Sequence, residues 1–434
     1  MKHFFTIVFI ASIITSLSAQ MSNDADLKVK LDAGAEQVMS KVIAWRRDFH
    51  QNPELSNRET RTSKIVADHL KSLGLEVRTG IAKTGVVGVL RGGKPGPTIA
   101  FRADMDALPV TERVDVPFKS LVRTTYNNVE TGVMHACGHD GHTAILMGAA
   151  EVLSKMKNEL SGTFVFIFQP AEEGAPIGEE GGAPLMIKEG CLENPKSEAI
   201  FGLHLEAAYY VGTLNYKSGG TMASSDRFEI TVNGKQSHGA DPWLGIDPIV
   251  TSAHIIVALQ TIVSRMTPLT HTPAVVTVGM IQAGNRENII PEKAKMLGTI
   301  RCLDTKVQDK IHEQIKRIAT DIAHSQGATA DVFIERGNPV TYNDPALVKK
   351  MLPTLAEIVP AKDFHEIEAM TGAEDFAAYQ KVIPGFFFFL GGLPLDKTVE
   401  QAPPHHTPDF FVDESGFIVG VKAFCHIAVD YNKK

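Results

Sequence analysis

The chain has 434 residues, and its 43 Lys and Arg against 50 Asp and Glu give a formal net charge of −7. This mildly acidic balance excludes a polyanion-binding protein as the default interpretation. With 44% hydrophobic and 21% charged residues, the composition is that of an ordinary globular protein, which excludes disorder and collagen-like repetition.

The N-terminal segment is predicted to be a secretory signal peptide over residues 1–19. A basic start precedes an apolar run over residues 4–14, and small residues follow up to Ala19. This layout is typical of a cleaved signal, and the run is too short for a transmembrane helix. A buried N-terminal core helix is the alternative. We therefore expect an exported protein, periplasmic or extracellular, with neither a membrane nor a nucleic acid as a partner.

Helices and apolar strands alternate along the next part of the chain. Residues 35–73 have the spacing of two helices around a break at Asn52-Pro53-Glu54. Short runs that are apolar on both faces follow at residues 86–90, 98–101, 163–168, 199–203 and 386–390. Such runs, alternating with helical segments, predict an α/β fold whose largely parallel sheet is covered by helices on both sides.

A different pattern occupies residues 221–337. Its predicted elements follow the order strand, helix, strand, strand, helix, strand, which is the ferredoxin-like split unit. We therefore predict an inserted α+β domain at residues 221–337, within a catalytic domain formed by residues 20–220 and 338–434. Two domains agree with the length of the chain.

Several predicted strands end in polar residues. These are Asp104 and Asp106, Glu172 and Glu173, and His204. Open parallel sheets bind ligands at the carboxyl ends of their strands, because the loops there converge on one crevice. We therefore expect these side chains to meet at one edge of the sheet.

A metal site is predicted at the same edge. Cys137 and His139 are separated by one glycine, so both can point at one centre, and Glu173 and His204 follow predicted strands at the same edge of the sheet. One at a time, these residues are more often ordinary polar groups. Together, a thiolate, two imidazoles and a carboxylate are typical ligands of zinc or a similar borderline metal.

Glu172 is the candidate general base. It precedes Glu173 directly, and successive side chains point in different directions, so one can bind a metal while the other faces the substrate. A carboxylate beside a water molecule activated by a metal can accept the proton of that water. Two surface glutamates in a loop are the alternative.

A second enzyme hypothesis makes Cys137 a nucleophile that is activated by His139 or His142. A spacing of two residues rarely places an imidazole nitrogen on the sulfur, and this hypothesis leaves Glu173 and His204 without a role. The metal site is therefore favoured.

The other three cysteines lie far apart in apolar or mixed surroundings. Cys191, Cys302 and Cys425 are expected to be buried as small hydrophobic residues. Export is compatible with one disulfide among them, and the sequence leaves the pairing open.

Seven short motifs along the mature chain resemble those of a known family. They are RADMDALP at 102–109, HACGHDGHT at 135–143, QPAEEG at 169–174, NIIP at 288–291, GTIR at 298–301, TGAEDF at 371–376 and HTP at 406–408. As a set, they resemble the amidohydrolase branch of the co-catalytic metallopeptidases. That branch includes aminoacylases, hippurate hydrolases, N-acetyldiaminopimelate deacetylases and plant hydrolases of indole-acetyl amino acids.

The resemblance implies a binuclear metal site. Its ligands would be Cys137, His139, Glu173, His204 and His406. Cys137 would bridge the two ions. His405 is adjacent to His406, but His406 stands directly before Thr-Pro and matches the pattern better. Thiolate and imidazole ligands disfavour Mg and Ca and leave Zn, Mn, Co and Ni open.

The resemblance also implies roles for three acids. Glu172 would be the general base, which takes a proton from the attacking water and later protonates the leaving amine. Asp106 matches an acid that supports the ligands. Asp104 stands where classical relatives carry a metal-binding histidine, which His139 would replace.

The inserted domain resembles the lid and dimerisation domain of the family, so a homodimer is expected. His238 would polarise the scissile carbonyl, and Asn288 and Arg301 would lie near the substrate carboxylate. A structural ion pair is the alternative for Arg301. Gly372 would let the substrate approach the backbone.

The function implied by the resemblance is the metal-dependent hydrolysis of N-acyl amino acids to a carboxylic acid and a free amino acid. A dipeptidase or carboxypeptidase with the same site is the nearest alternative, because only the shape of the pocket separates an acyl from an aminoacyl group. A non-catalytic binding protein with the same fold is the alternative from another class.

Overall fold

The computed structural model describes residues 2–432, with side chains for residues 25–432. The predicted signal peptide at residues 1–19 lies outside the residues whose side chains are described. The chain forms two compact units: unit 1 (Met1–Tyr216, Asp344–Ile367 and Tyr379–Lys434) and unit 2 (Lys217–Asn343 and Glu368–Ala378).

The strands and helices are numbered in chain order. The strands are β1 (Glu76–Ile81), β2 (Gly85–Arg91), β3 (Lys94–Asp104), β4 (Arg123–Tyr126), β5 (Val129–Gly132), β6 (Ser161–Gln169), β7 (Ala199–Tyr210), β8 (Leu214–Tyr216), β9 (Gly219–Met222), β10 (Asp226–Asn233), β11 (Ser237–His238), β12 (Ala274–Ala283), β13 (Ile289–Ile290), β14 (Lys293–Cys302), β15 (Thr329–Glu335), β16 (Thr341–Asn343), β17 (Phe364–Glu366) and β18 (Gly385–Leu393). The helices are α1 (Lys2–Gln51), α2 (Thr60–Ser72), α3 (His139–Lys155), α4 (Gly182–Lys188), α5 (Pro248–Thr261), α6 (Thr305–Ser325), α7 (Pro345–Ala356), α8 (Phe376–Gln380) and α9 (Phe417–Asp430).

Unit 1 contains a mixed sheet with the strand order β1-β2-β6-β3-β7-β18-β8-β17. The central strands β6, β3, β7 and β18 are parallel, whereas β1 and β2 pair in antiparallel fashion at one edge. In the shared register, Phe101 of β3 lies opposite Phe166 of β6 and Phe201 of β7. All three rings are fully buried, and each contributes about 1.5–3 kcal/mol relative to an exposed side chain. The predicted α/β class with a largely parallel sheet is confirmed.

Helices α1, α3 and α9 pack against one another and share the core of unit 1 with the sheet. Gly148 of α3 permits this close approach, because a Cβ at that position would lie 2.6 Å from a methyl group of Val42 in α1. Helix α3 begins at His139, directly after Gly138, whose φ of 98° is left-handed. The backbone at Gly138 therefore turns the chain from Cys137 into the helix, and both predicted ligands lie at this turn.

Unit 2 has an antiparallel sheet with the strand order β12-β14-β10-β15. Helices α5 and α6 pack on its strands, and a separate core includes Phe228, Ile255 and Ile315. Asp304 caps α6 by accepting a hydrogen bond from the Val307 amide. The ferredoxin-like element order predicted from the sequence is present, and its role as a lid and dimerisation domain stays a prediction.

The second stretch of unit 2, Glu368–Ala378, lies outside the range that the sequence assigned to the inserted domain. Within unit 2, the amide of Ala223 donates to the carbonyls of Met370 and Gly372 at 3.1 and 2.9 Å. The periodicity of the sequence did not indicate that this stretch belongs to unit 2, because the stretch has little regular secondary structure of its own.

Two further features concern apolar segments and cysteines. Among the residues with described side chains, Pro248–Met266 is long and apolar enough to cross a membrane by length and composition, with a mean hydropathy of 1.4 and 28% of the window buried. One such helix is weak evidence for a membrane span. All four cysteines are free and buried, so no disulfide links them.

Candidate metal centre

The start of α3, strand β7 and the loops after β6 and β18 bring the predicted ligands together in unit 1. Ligand atoms of Cys137, His139 and Glu173 lie within 4.8 Å of one another, and so do those of Cys137, His204 and His405. The sulfur of Cys137 lies 3.6 Å from Nε2 of His204. Cys137 therefore belongs to two groups of ligands, which is the arrangement that a bridging thiolate requires.

The environment of His139 leaves one nitrogen for a cation. Its Nδ1 is 2.9 Å from the carbonyl oxygen of Asp106 and donates to it, so Nε2 is the nitrogen that a metal ion would bind once it displaces a proton there. Nε2 is buried and has no hydrogen-bond partner among the described residues. It lies 3.9 Å from both Glu173 Oε1 and Glu172 Oε2. Bonds of about 2.0–2.2 Å from nitrogen and oxygen to zinc match this spacing, so the residues fit a metal ion.

The electrostatics of the site also fit a cation. Burial lowers the pKa of His139, but Asp104 and Asp106 outweigh it and raise the pKa to about 10. Burial and the nearby carboxylates of Glu173 and Glu172 raise the pKa of the Cys137 thiol well above its usual value. Burial is the largest cause for the thiol, and the negative charge of the nearby carboxylates contributes to both shifts. A divalent ion would neutralise that charge and displace the thiol proton.

His204 supplies a neutral imidazole. Burial, followed by the neighbouring His142 and His405, holds the pKa of His204 well below its usual value. Its Nδ1 is 2.7 Å from the carbonyl oxygen of Leu205 and donates to it. The lone pair on Nε2 therefore points toward Cys137, as metal binding requires.

Asp106 holds the loop that carries the two glutamates. Its carboxylate oxygens accept the amides of Glu172 and Glu173, each at 3.1 Å, and the hydroxyl of Ser56 at 2.7 Å. It also lies 3.3 Å from Nδ1 of His139. The sequence named Asp106 among the catalytic residues, and these contacts give it a positioning role for both the base and a ligand.

Glu59, which sequence reasoning did not single out, supports the same loop. Its Oε1 accepts the amide of Ala171 at 2.9 Å, and Ala171 has a left-handed φ of 54°. Burial, followed by the charge of Asp106, raises the pKa of Glu59 to about 7. Glu59 directly precedes α2, and the sequence does not indicate its contact with Ala171, because 112 positions separate the two residues.

Asp104 and His142 form a supporting pair behind the ligands. Nδ1 of His142 is 2.6 Å from Asp104 Oδ1, and Nε2 accepts the amide of Leu205 at 2.7 Å. Asp104 also accepts from Arg102 at 2.6 Å. Both nitrogens of His142 are thus engaged away from Cys137, which removes His142 as the activator of a cysteine nucleophile. Its position three residues after His139 on α3 was the available signal for a supporting role.

Both late histidines reach the site. Nδ1 of His405 lies 3.6 Å from the Cys137 sulfur. Nε2 of His406 lies 3.1 Å from Glu173 Oε1, and its side chain is 52% exposed. The sequence named His406 as the late ligand and treated His405 as the adjacent alternative, whereas the structure places each on a different member of the cluster.

Comparison with known proteins identifies the family. The sequence profile described as peptidase family M20/M25/M40 matches residues 100–430. The chain belongs to this family. Thermostable carboxypeptidase 2 of Saccharolobus solfataricus is 41% identical over 411 residues, which cover 94% of this chain and 100% of the relative. N-acetylcysteine deacetylase of Bacillus subtilis is 38% identical, covering 90% and 96%.

A solved structure supports the same assignment. The YXEP protein of Bacillus subtilis, a dinuclear metal-binding peptidase of the M20 family, has a TM-score of 0.76 and 36% identity, covering 92% of this chain and 99% of that chain. The resemblance to metallopeptidases and amidohydrolases is therefore confirmed. This M20 member is a metal-dependent hydrolase of amide bonds, as the sequence predicted.

In unit 2 of this M20 member, His238 is exposed on the short strand β11. Its Nδ1 accepts the amide of Ala240 at 2.9 Å, so the proton of the neutral ring is on Nε2. Asn288 is also exposed, and its carbonyl accepts the amide of Gly239 at 2.8 Å. The β11–β13 pair places His238 opposite Ile289, so His238 and Asn288 are neighbours.

Arg301 and Gly372 also lie in unit 2. NH1 of Arg301 donates to Thr299 Oγ1 at 2.7 Å and to the Ile300 carbonyl at 3.1 Å. Among the described residues, no carboxylate lies within ion-pair distance of Arg301, so the structural ion pair is not found. Gly372 is exposed, and a Cβ there would lie 3.4 Å from Met222 Cε, an ordinary contact. The backbone therefore does not require glycine at position 372.

Proposed function

We propose that the chain is an exported amidohydrolase that binds two divalent metal ions and cleaves N-acyl amino acids to a carboxylic acid and a free amino acid. The observation that carries this proposal is the pair of ligand groups that share Cys137, with the carboxylate of Glu172 beside them. The similarity to N-acetylcysteine deacetylase supports an N-acyl substrate.

The donor set determines which ions suit the centre. A thiolate, imidazoles and a carboxylate suit Zn, Mn, Co or Ni. When bound, such ions lower the pKa of a water molecule and polarise a carbonyl oxygen. The chain itself must hold the ions, orient the substrate and move the protons.

Glu172 is placed to move those protons. Its carboxylate is 3.9 Å from the ligand nitrogen of His139, and its side chain is 8% exposed. The carboxylate of Asp106 accepts a hydrogen bond from the Glu172 amide, which limits the motion of the backbone at Glu172. In this proposal, Glu172 accepts the proton of the attacking water and then delivers it to the leaving nitrogen.

Unit 2 supplies the candidate groups for the substrate. The Nε2 proton of His238 is suited to donate to the carbonyl oxygen as negative charge develops there. The guanidinium of Arg301, which has no carboxylate partner among the described residues, is suited to bind the carboxylate of the amino acid. Asn288 adds an amide next to His238.

A carboxypeptidase is the second candidate, and the 41% identity to thermostable carboxypeptidase 2 favours it. Both activities need the same metal centre and the same base, so only the acyl side of the substrate separates them. A non-catalytic binding protein has less support, because Glu172 and every predicted ligand are present.

We also propose a homodimer formed through unit 2. Strand β12 is at the edge of its sheet, and its side chains Val275, Met280 and Ile281 are 38–46% exposed. Val257 of α5 is 71% exposed. An unpaired edge strand beside apolar side chains is suited to pair with a second copy. Sedimentation of the parent and of Met280→Lys tests this: a monomeric parent contradicts it.

The substrate experiment measures amino-acid release from N-acetyl, N-benzoyl and N-indoleacetyl amino acids beside dipeptides and longer peptides, with and without a chelator. We expect chelator-sensitive release that is fastest from an N-acyl amino acid, in the parent but not in Glu172→Gln. Faster release from peptides would move the assignment to a carboxypeptidase. No release from a folded protein with two bound ions would contradict the hydrolase. Export is tested separately by sequencing the N-terminus of the protein secreted by its native cell.

A further inference from the structure

His405 has a partner that orients it toward the metal centre. Its Nε2 lies 3.2 Å from Oε1 of Glu206, and the two side chains are 21% and 15% exposed. Glu206 Oε1 is itself held by the amide of Ala208 at 3.1 Å. The His405 ring packs against Phe410, with 4.7 Å between the ring centroids. His405 is thus positioned by contacts on both its edge and its face.

The Glu206 contact decides which nitrogen of His405 carries the proton. The amide of Ala207 also lies 3.2 Å from Nε2, but one nitrogen cannot donate to Glu206 and accept from Ala207. A hydrogen bond to a carboxylate is charge-assisted and about twice as strong as a neutral one. The proton is therefore on Nε2, and the lone pair of Nδ1 points at the Cys137 sulfur, 3.6 Å away.

His204 presents its Nε2 lone pair to the same sulfur from another direction, at 3.6 Å. A metal-binding histidine usually donates the N–H of its other ring nitrogen to a carboxylate, which orients the ring. Glu206 would have this role for His405. Among the described residues, Cys137 is the only recorded partner of Nδ1 of His405.

We propose that His405 binds a metal ion through Nδ1, with Glu206 as its orienting partner. The ion shared by Cys137, His204 and His405 then has one sulfur and two nitrogen ligands. The other ion has Cys137, His139 and Glu173, with His406 at its outer side. This inference rests on the two-ion centre of the proposed function and is independent of the substrate.

The two positions therefore differ in chemistry. A thiolate with two imidazoles favours Zn or Co, whereas the carboxylate of Glu173 makes the second position more tolerant of Mn. Loss of His405 weakens the first position and leaves the second one complete.

The test measures the number and affinity of ions bound to the full chain after stripping and reloading with Zn²⁺ alone, by elemental analysis and by competition with a chromophoric chelator. The parent is expected to bind two ions. His405→Ala is expected to retain one ion and to bind the other more than about 100-fold more weakly, since loss of an orienting partner alone costs about 10–100-fold. Glu206→Gln should weaken the same ion about tenfold.

His365→Ala is the matched control, because His365 is an exposed histidine of unit 1 on β17, and it should bind two ions like the parent. Two ions of parental affinity in His405→Ala, with one ion lost in His406→Ala, would overturn the proposal. If His405→Ala does not fold, parental affinity for both ions in Glu206→Gln overturns it. A parent that binds one ion contradicts the two-ion centre instead, which keeps the two failures distinct.

Discussion

The two units hold their candidate functional residues in different ways. In unit 1, Cys137, His139 and His204 are buried. Each of the two histidines donates a hydrogen bond from one ring nitrogen to a backbone carbonyl. In unit 2, His238 and Asn288 are exposed on a two-residue strand and its neighbouring loop. Rigid burial suits metal ligands, whose spacing must be kept in the absence of the ion, whereas exposed groups suit contacts that form when the substrate arrives.

This contrast predicts the largest loss of activity for a substitution in unit 1 and smaller losses for substitutions of the exposed groups of unit 2 that would contact the substrate. The largest effect is expected for Glu172→Gln, which keeps the size of the side chain and removes the base. We expect kcat to fall about 10³-fold, within the range for a lost general base, with both ions retained. The measurement is kcat beside elemental analysis. Glu193→Gln, an exposed glutamate of the same unit, is the control, and parental kcat in Glu172→Gln would remove the proposed base.

The next largest effect is expected for His238→Ala in unit 2. Loss of a hydrogen-bond donor to a developing oxyanion costs about 10²–10³ in kcat, and the exposed position predicts unchanged thermal stability. The measurement is kcat together with the unfolding temperature, and His271→Ala, another exposed histidine of unit 2, is the control. An unchanged kcat would show that His238 does not act on the substrate.

A smaller effect is expected for Arg301→Gln. A charged hydrogen bond is worth about 1.5–3 kcal/mol, so KM for an N-acyl amino acid should rise about tenfold or more, whereas KM for the corresponding N-acyl amino acid amide should stay unchanged. Lys293→Gln places the same change at an exposed cation of the same strand, β14. Equal increases in KM for both substrates would contradict a role in binding the carboxylate.

The smallest effect is expected for Asp226→Asn, which lies in the core of unit 2. Asp226 Oδ2 accepts hydrogen bonds from Gln308 and His312, each at 2.7 Å. Burial raises the pKa of Asp226, but these hydrogen bonds outweigh it and hold the pKa below 3.8. The substitution should cost about 1–3 kcal/mol of unfolding free energy at pH 7.

The pH dependence of this cost follows from the direction of the shift. A carboxyl group with a depressed pKa in the folded state contributes stability that is present above the pKa of the unfolded state and is lost as the pH falls through the folded one. The difference between the parent and Asp226→Asn should therefore shrink as the pH falls below about 3.8. Urea unfolding at pH 7 and in this acid range measures it. A difference that does not depend on pH would show that the charge of Asp226 contributes nothing.

Sequence patterns predicted the architecture better than the details of the site. Continuous apolar runs indicated the parallel strands, and the element order indicated the ferredoxin-like unit, because these patterns repeat over many residues. Glu59 was not predicted, since its contact with the amide of Ala171 joins positions 112 residues apart. The role of Gly372 in letting the substrate approach the backbone stays a prediction.

The sequence by itself determined which chemical groups reach the edge of the sheet, because residues that directly follow buried parallel strands emerge at one edge whatever surrounds them. Glu173 follows β6 and is of this kind, whereas His204 lies within β7 and Cys137 lies directly before the Gly138 turn into α3. Only the tertiary structure decided that His405 faces Cys137 while His406 faces Glu173, and that Glu206 orients His405. The directions of adjacent side chains in a turn depend on φ, which is 62° at His406, and the packing of distant segments sets that angle.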